Sequence, residues 1–140
     1  MANDLEEDFE EKFEKLPPEL ERVATQIVDA AFKVHTELGP GLLESVYEKC
    51  LAHELTKRGL RVRRQVLVPI VYDGMVLDEP LRLDLLVEES VIVEVKAVEK
   101  MHPVFRCQML TYLKLSGKRL GFMINFNVPL IKNGIERVIR

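Results

Sequence analysis

The sequence predicts an α/β domain in which a mixed β-sheet is flanked by α-helices, and three observations carry that prediction. The chain has 140 residues, 47% of them apolar, enough for the core of one domain and too few for two comfortable ones. Apolar residues recur at helical intervals in some stretches and alternate, or run continuously, in others. The two kinds of stretch follow in the order helices, three strands, a helix and one or two strands, which suits a mixed sheet better than a bundle or a sandwich.

The first stretch is "LEEDFEEKFEKL", where Leu5, Phe9, Phe13 and Leu16 fall at about helical spacing before the break at Pro17 and Pro18. A short acidic helix or a solvated appendage fits it, and residues 1–18 are set apart as an acidic segment from a domain of residues 19–140. A helix is expected from Glu19 to Leu38 with Val23, Ile27, Ala30, Ala31 and Val34 as its apolar stripe, stopped by Gly39-Pro40-Gly41. A second runs from near Leu42 to about Arg58 and ends at Gly59.

"RVRRQVLVPIVY" reads as an alternating strand interrupted by Pro69, followed by the turn Asp73-Gly74. A hairpin should span Leu81 to Ala97. "HPVFRCQMLTYLKLSG" reads as a helix with Pro103 in its first turn and Gly117 as its stop. "RLGFMINF" is then a buried strand and "IERVIR" a short final one.

Composition excludes little beyond membranes. No run approaches the roughly 20 apolar residues that span a bilayer, and the acidic N-terminus lacks the basic-then-apolar order of a signal peptide, so a soluble, cytoplasmic protein is expected. Cys50 and Cys107 sit in amphipathic segments among apolar neighbours, as reduced thiols do. Residues 1–20 carry eight acids and two bases, which leaves 15 acids and 18 bases elsewhere. The body is therefore mildly basic at +3, compatible with a polyanionic partner without requiring one.

The chemistry is concentrated in the hairpin. In "VIVEVK" the side chains of Val91, Val93 and Val95 share one face, and Ile92, Glu94 and Lys96 the other. If residues 88–90 form a three-residue loop, Val87 pairs with Val91 and Asp84 falls opposite Glu94. Opposed like charges are destabilising unless something positive lies between them. A hard divalent cation such as Mg²⁺ fits, since it takes one or two carboxylates, keeps several waters and leaves room for phosphate oxygens. Lys96 or Arg82 as counter-ions of an ordinary ion cluster fit as well, and a slip of one residue would separate the pair.

Two further patterns accompany it. Gln108 and Tyr112 are four apart on one helix face, and Gly41, Glu44 and Tyr47 stand at the intervals G-x-x-E-x-x-Y. A helix flank accounts for the first pair, and N-terminal capping for Glu44.

With these residues in "VHTELGPGLLESVYEKCL", "LDLLVEESVIVEVKAVE", "QMLTYLKLSG" and "LGFMINFNVPLIKNGI", the chain from about residue 20 resembles the GxxExxY protein family, a branch of the PD-(D/E)XK nuclease superfamily. The resemblance implies a restriction-endonuclease-like fold. It maps the first motif acid to Asp84, with Leu83 in place of the name-giving proline, and E-x-K to Glu94 and Lys96. Glu44 matches the acid on the helix preceding the sheet, and Gln108 and Tyr112 match a QxxxY element.

The implied metal ligands for Mg²⁺ or Mn²⁺ are Asp84, Glu94, the carbonyl of Val95, and Glu44 directly or through water; Lys96 would orient or deprotonate the attacking water. Gln108, Tyr112 and Tyr47 are the implied substrate contacts. The implied partner is nucleic acid, DNA ahead of RNA, with a homodimer left open. Some relatives add four cysteines for an iron–sulfur cluster, which two cysteines cannot supply within one chain. His35, His53 and His102 are expected at local bonds, caps or the surface. The other reading is a catalytically silent nucleic-acid-binding or oligomerising module that keeps the fold, because fold does not guarantee activity.

Overall fold

The computed structural model describes residues 16–140; the expected acidic helix of the first segment lies outside them. Two helices come first, α1 (Pro18–Leu38) and α2 (Glu44–Lys57). Pro18 opens α1 because its missing N–H and fixed φ suit the first helical position, and Gly39, at φ 72°, ends it. Strands β1 (Val62–Val68), β2 (Val71–Tyr72), β3 (Met75–Val76), β4 (Leu81–Val87) and β5 (Val91–Lys96) follow. Helix α3 (Val104–Ser116), strand β6 (Leu120–Asn125), a 3₁₀ turn (Ile131–Asn133) and β7 (Ile135–Ile139) complete the chain.

The five long strands form one sheet in the order β1-β4-β5-β6-β7, antiparallel except for the parallel pair β5 and β6 that α3 connects. This is the expected mixed sheet flanked by helices, consistent with a restriction-endonuclease-like fold.

Two cores separate three layers. Val91, Val93 and Val95 pack with Ile27, Ala31, Tyr47 and Leu51 of α1 and α2, whereas Ile92 and Met123 pack with Met109 and Leu113 of α3. Gly121 permits the second contact, since a Cβ there would meet Met109 Sδ at 2.4 Å. The parity expected of β5 therefore holds, and Glu94 and Lys96 stand on the α3 face beside Ile92.

Three expectations need adjustment. The segment 61–72 is not one strand: β1 ends at Val68 before Pro69, and Val71–Tyr72 instead pair with Met75–Val76 across the Asp73-Gly74 turn, both of whose φ angles are positive as a tight hairpin turn requires. Helix α2 begins at Glu44 rather than Leu42, because Gly39–Leu43 form the preceding loop. Helix α3 begins after Pro103, which serves as its N-cap.

Candidate active site at the end of strand β5

The β4–β5 hairpin closes through residues 88–90, with Val87 opposite Val91 and Leu85 opposite Val93. Glu88 and Glu89 take φ of 53° and 54° in that loop and are held by Arg61 and Arg63. This register carries Asp84 to Glu94. The Asp84 N–H donates to Glu94 Oε1 at 3.3 Å, and Asp84 Oδ2 accepts the backbone N–H of Val95 at 2.9 Å. A carboxylate thus takes a position that a backbone carbonyl would hold in a continuing ladder. Because the N–H and C=O of a strand residue point to the same edge, the Val95 carbonyl also faces the Asp84 side.

Glu94 is only 6% exposed, and its carboxyl is pushed up to about 9. Burial is the largest cause, followed by the charge of Asp84 and a hydrogen bond to its side chain; the Asp84 N–H and Lys96 oppose the shift. Without a cation Glu94 therefore favours its protonated form at neutral pH. Lys96 is half-buried, with Nζ 4.5 Å from the centre of the Phe105 ring of α3.

Glu44, exposed at the start of α2, comes from the opposite layer around the end of β5. Although the residue is exposed as a whole, its carboxyl end is partly desolvated toward the site, and this raises it together with the charges of Asp84 and Glu48, against Lys96 and the backbone N–H of Ala97. The Tyr112 hydroxyl is raised by burial and by Glu94 and Asp84, which places it in the field of the two carboxylates. Gln108 is exposed one turn earlier on α3.

The site lies at the carboxyl ends of the parallel strands β5 and β6, where open α/β sheets commonly bind ligands. It shares no residue with the groove of about 570 Å³ along α1, lined by Ala24, Val28, Phe32, Phe122 and the Glu21–Arg137 pair.

One expected contact is corrected. Tyr47 is fully buried, stacked on Phe126 at 4.6 Å, and its hydroxyl donates to Gly39 O at 2.6 Å while accepting the Leu42 N–H at 3.0 Å. It fastens the loop before Glu44 and is not available to a substrate. Likewise, among the described residues no three His, Cys, Asp or Glu side chains converge as a ready metal cluster, so Asp84 and Glu94 form a two-carboxylate pair with Glu44 beside it. Hard carboxylate oxygens plus one carbonyl still match the few protein ligands that Mg²⁺ takes.

Sequence reading missed two supports. Asn125, 2% exposed and beside Lys96 in the register, accepts N–H groups of Val98 and Asn127 and donates to Val98 O, fixing the chain beyond β5. Glu48, also buried, accepts from Arg64 at 2.8 Å and Gln65 at 2.7 Å. No local signal marks it, because Glu48 is one of several charged residues in α2, with Glu44, Lys49, Glu54 and Lys57.

A profile of the PD-(D/E)XK nuclease superfamily matches residues 21–138. Neither curated proteins nor solved structures gave a match. Among the described residues no helix is long and apolar enough to cross a membrane.

Proposed function

The chain belongs to the PD-(D/E)XK nuclease superfamily, and from that membership we propose that it is a metal-dependent nuclease hydrolysing phosphodiester bonds of nucleic acid, DNA by preference. The observation that carries the reading is the buried Glu94 set against Asp84, with Lys96 on the same face two residues on. Within the superfamily we assign it to the GxxExxY branch, on Gly41, Glu44 and Tyr47 and the loop they organise. In this reading residues 19–140 are the nuclease-like domain and residues 1–18 an acidic segment beside it, and Cys50 and Cys107, free thiols, favour the cytoplasm.

Asp84, Glu94 and the Val95 carbonyl would hold the Mg²⁺ or Mn²⁺, with Glu44 joining them directly or through water. When bound, the cation supplies Lewis-acid stabilisation of charge on the phosphate. Lys96 Nζ donates hydrogen bonds that orient the attacking water and offsets charge gained in the in-line displacement. Tyr112 and Gln108 contact the substrate backbone from α3. Glu94 would serve as a ligand only in its carboxylate form, so holding a cation would release the proton that burial favours on it.

The test is cleavage of single- and double-stranded DNA and RNA with Mg²⁺, Mn²⁺ or chelator, with Asp84→Ala as control and mass in solution measured on the same preparation to decide between monomer and homodimer. Metal-dependent cleavage lost in Asp84→Ala is the expected result. A wild-type protein inactive on every substrate with both metals would replace this reading with the catalytically silent module.

A further inference from the structure

Strand β1 contains a break that the proposed chemistry does not use directly. Gln65 has φ 53°, in the left-handed region that side-chain-bearing residues seldom occupy. Arg64 and Gln65 are consecutive, so in a regular strand their side chains would point to opposite faces. Both nevertheless reach the same Glu48 carboxylate on α2: Arg64 Nε and Nη2 donate to Oε2 at 3.2 and 2.8 Å, and Gln65 Nε2 donates to Oε1 at 2.7 Å.

The break crosses to β4 at the same step. The β1–β4 ladder pairs Arg64 with Leu85 and Val66 with Leu83 but omits Gln65 opposite Asp84. On either side of that step the strands exchange faces. Leu85 and Val87 pack with α1 and α2, whereas Leu83 packs with Ile92 and Met109 toward α3, and Val62 and Val66 divide in the same way. In a regular strand, side chains stand roughly perpendicular to the sheet. At the break, the Asp84 carboxylate instead reaches across to the Val95 N–H of β5.

We infer that Glu48 and Gln65 are positioning residues: the Glu48–Gln65 hydrogen bond holds β1 in its left-handed turn, and that turn opens the ladder so that Asp84 swings its carboxylate onto β5. The inference rests on the reading of Asp84 as a metal ligand for its functional meaning, but its structural part stands without metal. Glu48 is well placed for this task, being 5% exposed with both oxygens engaged and carried by the same helix that presents Glu44. A small change of packing on α2 is thereby transmitted to the acid opposite it in the sheet.

The experiment reads the Val95 amide directly. Hydrogen exchange of Val95 against Val93 is followed by NMR in chelated wild type, Gln65→Ala, Glu48→Leu, Glu48→Gln and Asp84→Asn, together with calorimetric titration by Mn²⁺. Gln65→Ala and Glu48→Leu should lose about tenfold in Val95 protection and about tenfold in Mn²⁺ affinity, the scale of lost support around a metal ligand. Glu48→Gln keeps one acceptor oxygen for Gln65 but turns its amide NH2 toward the Arg64 guanidinium, so it should fall between wild type and Glu48→Leu on both readouts. Gln65 is exposed, so Gln65→Ala decides the matter even if Glu48→Leu does not fold. Wild-type values for folded Gln65→Ala on both readouts would overturn the inference. Equal Mn²⁺ binding by wild type and Asp84→Asn would instead sink the metal reading, and Val95 exchange would still decide whether Gln65 positions Asp84.

Discussion

Asp84 and Glu94 are joined through the backbone of one and the side chain of the other: the Asp84 N–H donates to Glu94 Oε1 at 3.3 Å while the Asp84 carboxylate is drawn to the next residue, Val95, at 2.9 Å. The two acids are thus crowded without being ion-paired to each other, and the burial of Glu94 turns this crowding into a measurable proton affinity.

The first consequence is a stability that falls as pH rises. Glu94 has an ordinary value of 4.5 and is pushed up to about 9 in the fold, so the native state binds the extra proton between those limits. Its contribution is fully present below about 4.5 and is lost progressively as pH approaches about 9. In chelated buffer, Glu94→Gln should therefore gain on wild type with increasing pH, by up to about 1.4 kcal/mol per pH unit. Denaturant titrations of both proteins at several pH values check this; parallel curves would refute it.

Divalent cation should reverse the crowding. At about 100 times its dissociation constant, Mn²⁺ or Mg²⁺ should stabilise the fold by about 2.7 kcal/mol, and the rise in melting temperature should vanish in Asp84→Ala. Because binding displaces the Glu94 proton, the rise should be larger at alkaline than at acidic pH. A melting temperature indifferent to millimolar metal would leave the pair without a cation.

Lys96 separates chemistry from support. It lies over Phe105 and is only half-buried, so Lys96→Ala should leave the melting temperature within a few degrees while cleavage drops about 10²–10³-fold, as when one donor to a developing anion is removed. If Lys96 were chiefly a counter-ion, its removal would instead destabilise the metal-free protein by several kcal/mol and added metal would restore part of the loss. Melts with and without Mg²⁺ beside the cleavage series distinguish the two.

Tyr47→Phe should behave as a packing variant. It keeps the stack on Phe126 and loses the bonds to Gly39 O and Leu42 N, at a cost of about 1–2 kcal/mol. Substrate KM should barely change; a large rise in KM at unaltered stability would return Tyr47 to the substrate-binding set.

The acidic segment offers an electrostatic test. Residues 1–15 hold seven acids and two bases, against a mildly basic body, so deleting them should tighten oligonucleotide binding at low salt more than at high salt. Equal affinity changes at both salts would make the segment a bystander.

The order of the helices and the five long strands, the three-residue loop at 88–90 and the shared face of Glu94 and Lys96 were legible in the sequence, because each follows from local periodicity and loop length: once the hairpin closes, alternation by two places the side chains from Leu85 to Lys96. What the tertiary structure alone decided depends on partners distant in the chain. Tyr47 looked like a surface contact until Phe126 and the Gly39 loop enclosed it, and the amide clamp of Asn125 exists only because β6 lies parallel to β5. Nothing in the local pattern of "RVRRQVLV" marks Gln65 for a positive φ, since glutamine has no intrinsic preference for it. That turn arises because a buried Glu48 on another element accepts its side chain, and with it the position of Asp84 is fixed by a helix that the hairpin sequence does not contain.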